Sequence, residues 1–198
     1  MGRVFDIHAV KSPNMLAMKF ELPSLLLTKG AYTFSSRGEA QEQSPLATKL
    51  FGFDYVESVF IAKNFVTVTK KAEEPTWDEI MIDIRIVIKK HLEDGEALFN
   101  FDADAFAHSE PLEGKAGKIQ DLIKRHIQPA TWSDGGEINF DSYADGKVKV
   151  KLAGACITCP FAPRTLKHGV QVILDRAFPD EKLEVTSDDI DWTKTQAQ

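Results

Sequence analysis

The chain is 198 residues long, with 24 Lys and Arg against 30 Asp and Glu and a formal net charge of −6. That length suits one large domain or two small ones with buried cores, and the acidic balance argues against sequence-independent nucleic-acid binding, which needs a basic face. No run of eighteen apolar residues is present, so no membrane span is expected.

MGRVFDIHAVKSPNM, at the start, has neither the apolar core of a signal peptide nor the Arg/Ser richness of a transit peptide. Further on, MLAMKFEL (15–22) and AYTFSS (31–36) have strand-like content. Ser44-Pro45 reads as an N-cap followed by proline at the first helical position, opening a short helix over LATKLFG. VESVFIA and FVTVTKK, joined by Lys63-Asn64, form an expected hairpin. Thr76-Trp77-Asp78-Glu79 fits a capping box. The helix behind it places Ile80, Met81, Ile84, Val87 and Ile88 on one face. No concentration of catalytic residue types appears in this part.

From Glu93 to Gly114 the chain has seven acidic residues and no Lys or Arg. It reads as a linker, with Ala97-Leu98-Phe99 and Phe101 able to dock on a neighbour. The expected organisation is therefore a first domain over 1–92, an acidic linker over 93–114 and a second domain with a tail over 115–198. In the second, Ile119, Leu122, Ile123 and Ile127 stripe a helix that Pro129 closes. Asp134-Gly135-Gly136 makes a turn, and two strands follow around Ala144-Asp145-Gly146. Lys147, Lys149 and Lys151 alternate with Val148, Val150 and Leu152, the pattern of a strand wet on one face. Leu166, Val170, Ile173, Leu174 and Phe178 form a helical stripe ended by Pro179, and KLEVTS (182–187) adds a strand. The fold class is α+β: two small domains, each a short sheet covered by helices, the second in the order α-β-β-α-β.

The only two cysteines, Cys156 and Cys159, stand in GACITCP (154–160), between a strand end and a helix start. A single CxxC makes no disulfide framework and points to a reducing compartment. Backbone N–H groups at a helix N-terminus favour negative charge, so both sulfurs are placed to ionise. Thiolates serve metal binding and disulfide exchange alike, so position alone leaves a cluster, zinc and redox chemistry open. A closed metal site wants four ligands, and His168, nine residues beyond Cys159, is too far along its helix to help. One chain thus supplies half a site, which a symmetric dimer would complete. A thioredoxin-like reading needs a parallel βαβ unit around the motif, and the hairpin expected before it counts against that.

The stretch from Asp134-Gly135-Gly136 through Leu152-Ala153-Gly154-Ala155-Cys156, Cys159-Pro160, Thr165-Leu166-Lys167 and Gly169-Val170 resembles the NifU C-terminal-type domain of the Nfu iron–sulfur cluster carriers. The first part is similar to the Nfu N-terminal module through Ser12-Pro13-Asn14, Met18-Lys19-Phe20, Ser44-Pro45-Leu46-Ala47, Lys49-Leu50-Phe51 and Phe65–Lys70 leading to Trp77. The chain departs from the family pattern at Phe161-Ala162-Pro163-Arg164 and at Ser12-Pro13-Asn14-Met15. The resemblance implies a non-enzymatic scaffold or carrier. Cys156 and Cys159 of two subunits would hold a [4Fe–4S] cluster between them and deliver it to apo iron–sulfur proteins. Its partners would be those apo-proteins, cluster-assembly proteins and a second copy of the chain, with no nucleic acid and no membrane. Its setting would be the bacterial cytoplasm or the mitochondrial matrix, not the secreted space. The alternatives are a CxxC thiol–disulfide oxidoreductase and a zinc-holding adaptor of the assembly machinery.

Overall fold

The computed structural model describes residues 6–103, 112–190 and 192. The chain falls into two compact units, Met1–Ser109 and Glu110–Gln198, each with its own apolar core.

The first unit is built on a five-stranded antiparallel sheet in the order β1-β2-β5-β4-β3. Its strands are β1 (His8–Lys11), β2 (Ala17–Glu21), β3 (Ala31–Phe34), β4 (Val56–Ala62) and β5 (Phe65–Lys70). The β4–β5 hairpin turns at Lys63-Asn64 as expected, with Lys63 at φ 36. Three helices described over their full length accompany the sheet: α1 (Arg37–Gln43), α2 (Pro45–Leu50) and α3 (Trp77–Glu93). The Ser44 side chain accepts from Ala47 N–H at 3.2 Å and so caps α2, with Pro45 behind it. At the start of α3 the Glu79 carboxylate reaches back to accept from Thr76 N–H at 2.8 Å, completing the expected capping box. Ile80, Ile84 and Ile88 of α3 are buried with Leu46, Leu50, Phe20, Val59, Ile61, Val66 and Val68. Strand β1 and helix α1 lie in stretches that carry no strand or helix signal in the sequence.

Part of the acidic stretch belongs to this core. Leu98, Phe99 and Phe101 pack against it, Ser44 Oγ donates to Leu98 O at 2.7 Å, and Tyr32 OH donates to Ala103 O at 2.6 Å. The remainder, residues 104–111, lies outside the described residues.

The second unit has a three-stranded sheet, β6 (Gly136–Ala144), β7 (Lys147–Gly154) and β8 (Glu184–Thr186), in that order. Asp145 (φ 50) and Gly146 (φ 77) make the tight turn between β6 and β7, as two consecutive left-handed residues must in a hairpin that matches strand twist. β7 alternates as expected, with Val148, Val150 and Leu152 buried. Of its outward lysines, Lys149 pairs with Asp188 at 2.5 Å and Lys151 with Asp141 at 3.1 Å. The covering helices are α4 (Gly114–His126), α5 (Gln128–Ser133), α6 (Ala162–Thr165) and α7 (Gln171–Ala177), with a π-helical turn, Leu166–Val170, joining the last two. Ile119, Ile123, Ile127, Leu166, Val170 and Leu174 meet Ile138, Val148, Val150 and Leu152 in one core. Pro129 does not end the helical region. It sits in the first turn of α5, where its missing N–H costs nothing.

Candidate functional site

β7 ends at Gly154, whose φ of 58 turns the chain out of the sheet. The loop that follows ties itself together. Cys156 N–H donates to Ala153 O (3.2 Å), Ile157 N–H to Gly154 O (3.2 Å), Cys159 N–H to Cys156 O (3.3 Å) and Ala162 N–H to Cys159 O (3.1 Å). Both predicted site residues therefore stand on one short, hydrogen-bonded loop that runs directly into α6. Both are free thiols, Cys156 buried at 9% exposure and Cys159 half-buried.

The neighbour of Cys156 is the first residue of β6. Gly136 pairs with Gly154 across the ladder, and a Cβ on Gly136 would lie 2.5 Å from the Cys156 sulfur and 2.6 Å from the Cys156 nitrogen. Only a residue without a side chain fits there. The adjoining turn is fastened as well, Ala155 N–H donating to Gly135 O at 3.2 Å. Asp134-Gly135-Gly136 is thus more than a turn. It forms the wall behind one thiol.

Backbone N–H groups favour charge on both sulfurs, that of Glu137 on Cys156 and those of Phe161 and Ala162 on Cys159. This is the helix-entry geometry the sequence suggested, yet the expectation that it leaves the sulfurs ionised fails. Burial pushes the Cys156 thiol up to about 12, helped by the proximity of Cys159, Asp134 and Glu137, against the one N–H. Burial raises Cys159 too, against its two N–H groups. Removing an anion from water outweighs a few hydrogen bonds to it. The free thiols are neutral, and a bound cation is what would draw their protons off.

Topology corrects a second inference. The β6–β7 hairpin precedes the motif as expected, but β7 also pairs in parallel with β8. Since α6 and α7 lie between those strands, the cysteines do open a parallel βαβ crossover. Topology therefore gives no ground for setting the redox reading aside.

The remaining polar residues near the motif do not join the cysteines. Arg164, Lys167 and His168 are exposed on the helical segment, the Lys167 ammonium 5.9 Å from the centre of the Trp192 ring. Phe161 is an exposed aromatic, 53% accessible. Among the described residues no group of three or more His, Cys, Asp or Glu side chains is arranged to hold a metal ion. One chain presents two sulfur donors. Residue-by-residue reading missed Glu137, which is buried beside Cys156. No sequence signal marked it, because strand alternation sets Glu137 opposite the core-facing Ile138 and its burial comes from the helix carrying Trp132.

A model of the Nfu/NifU scaffold protein N-terminal domain matches residues 7–95, and a model of the NifU-like domain matches residues 119–186. A NifU-like protein of Schizosaccharomyces pombe is 35% identical over 191 residues, spanning 88% of this chain and 69% of that protein. The mitochondrial NFU1 iron-sulfur cluster scaffold homolog of Homo sapiens is 33% identical over 189 residues, spanning 94% and 74%. Among solved structures, the solution NMR structure of a NifU-like protein from Saccharomyces cerevisiae gives a TM-score of 0.44 at 25% identity, over 50% of this chain and 87% of that one.

Proposed function

The chain belongs to the Nfu/NifU scaffold protein family, and from that membership we propose that it is an iron–sulfur cluster scaffold and carrier rather than an enzyme. Cys156 and Cys159 of two copies hold a [4Fe–4S] cluster as cargo between the subunits and pass it to apo iron–sulfur proteins. The observation that carries this reading is the pair of free thiols on one hydrogen-bonded loop, with no further metal donor grouped with them among the described residues. Two sulfurs are half the thiolate set of a cubane cluster, so a second copy is the simplest source of the rest.

Burial gives the two ligands different parts. Cys159, half-buried, meets the incoming cluster first. Cys156 lies against Gly136, so the loop has to open before it can bind. Both thiols start neutral, and loading releases their protons as iron replaces them. A site that must open to fill can also open to empty, which suits a donor. The first unit supplies recognition of assembly partners and clients, and the mitochondrial designation of the human relative supports the matrix over the bacterial cytoplasm as the setting.

Anaerobic reconstitution with iron and sulfide, followed by metal analysis and incubation with an apo-acceptor, tests the reading. Wild-type protein takes up about two irons per chain, as a shared cubane requires, and activates the acceptor. Cys156→Ser and Cys159→Ser each abolish both. Iron uptake that survives the double substitution would refute the assignment, as would zinc in place of iron in protein isolated from iron-replete cells.

A further inference from the structure

We propose that Glu137 is a positioning residue for Cys156: its buried, hydrogen-bonded carboxylate fixes the Gly136-Glu137 backbone that lies against the Cys156 sulfur. The inference rests on Cys156 being a cluster ligand.

Glu137 is 6% exposed. One carboxylate oxygen accepts from Trp132 Nε1 at 3.1 Å, and the other accepts from Asn139 Nδ2 at 2.7 Å. Asn139 in turn accepts, through Oδ1, from Gln128 Nε2 at 2.7 Å. The short helix α5 is thereby tied to β6 at two points, through Trp132 and Gln128. Between helix and strand runs the Asp134–Gly136 turn that backs Cys156. No ion pair to Glu137 occurs among the described residues. A carboxylate buried with two neutral donors and no cation costs stability that an apolar side chain of like volume would avoid. The residue is expensive as packing and apt as a clamp. It holds the strand edge that backs the sulfur, as outer partners orient metal ligands elsewhere.

The test uses the full chain with Glu137→Leu, Glu137→Gln and wild type. In metal-free protein, iodoacetamide alkylation of Cys156 and Cys159 is followed separately by mass spectrometry. In reconstituted protein, cluster loss to a chelator is followed by absorbance. Glu137→Leu is expected to raise Cys156 alkylation and cluster loss by about tenfold each, the lower end of the effects of outer ligand partners, with Cys159 alkylation within about twofold of wild type. Glu137→Gln, whose amide oxygen still accepts from Trp132 while its NH2 meets the Asn139 donor, gives rates between those of Glu137→Leu and wild type. A folded Glu137→Leu protein with wild-type Cys156 alkylation overturns the inference. Should that variant fail to fold, Trp132→Phe keeps the ring and deletes one donor to the carboxylate. It must raise Cys156 alkylation selectively, and no change refutes the clamp. A wild-type protein that takes no cluster defeats the ligand reading, while the alkylation ratio, read without metal, still decides on the clamp.

Discussion

Opposing forces meet at the Cys156 sulfur. A backbone N–H draws charge toward it, while burial keeps it a neutral thiol. Its position depends on Gly136, since any side chain there would collide with both the sulfur and the loop backbone. Gly136→Ala is therefore expected to displace the loop at a cost of about 1–3 kcal/mol, the usual range for overpacking, and to lose most iron uptake on reconstitution. Gly38→Ala is the control, because nothing lies within 4 Å of the position its methyl would take. Its denaturation midpoint and iron content should match or exceed those of wild type. Equal iron uptake by the two variants would contradict the role given to Gly136. The glycines were visible in the sequence as a turn. The contact of Gly136 with the Cys156 thiol, twenty residues on, was not, because only strand pairing brings β6 and β7 into that register.

Elements with strong local signals were legible. The Lys63-Asn64 and Asp145-Gly146 hairpins, the Ser44-Pro45 helix start and the capped helix α3 each carry their own turn or cap chemistry, and each stands where it was expected. Elements without such signals were not. In α1 only Ala40 is buried, so no apolar period marks it, and β1 is a four-residue edge strand with no fully buried residue. The π turn at Leu166–Val170 was hidden because its buried residues, Leu166 and Val170, keep a spacing that an α-helix also gives. The end of α3 holds a further device. His91 is fully buried, its Nε2 3.1 Å from Ala97 O, its Nδ1 3.5 Å from a Glu96 carboxylate that also pairs with Lys49 at 2.6 Å. Burial and then Lys49 lower the His91 pKa, against the opposing pull of Glu96, the Ala97 carbonyl and Asp94. A histidine held neutral in the fold takes up its proton first in the unfolded chain. Stability is thus complete above the ordinary histidine range and falls as pH drops below about 6.5. Denaturant midpoints for the first unit should decline from pH 7.5 to pH 5.5, and His91→Gln should flatten that slope. An unchanged slope would sink the assignment.

On the scale of the molecule, both units are α+β, each with its own core, but only the second carries cysteine. The family was legible because its motifs run in order through both units, from Ser12-Pro13-Asn14 to Gly169-Val170. The electrostatics of the thiols were not legible, since they follow from burial that only the folded loop creates. The central claim is that one chain cannot hold the cluster and two must share it. Sedimentation velocity of anaerobically reconstituted protein, recorded at a wavelength the cluster absorbs, tests that most directly. The account predicts that all cluster absorbance moves with the dimer and that the metal-free fraction has less dimer at the same concentration. Cluster absorbance travelling with a monomer would contradict it.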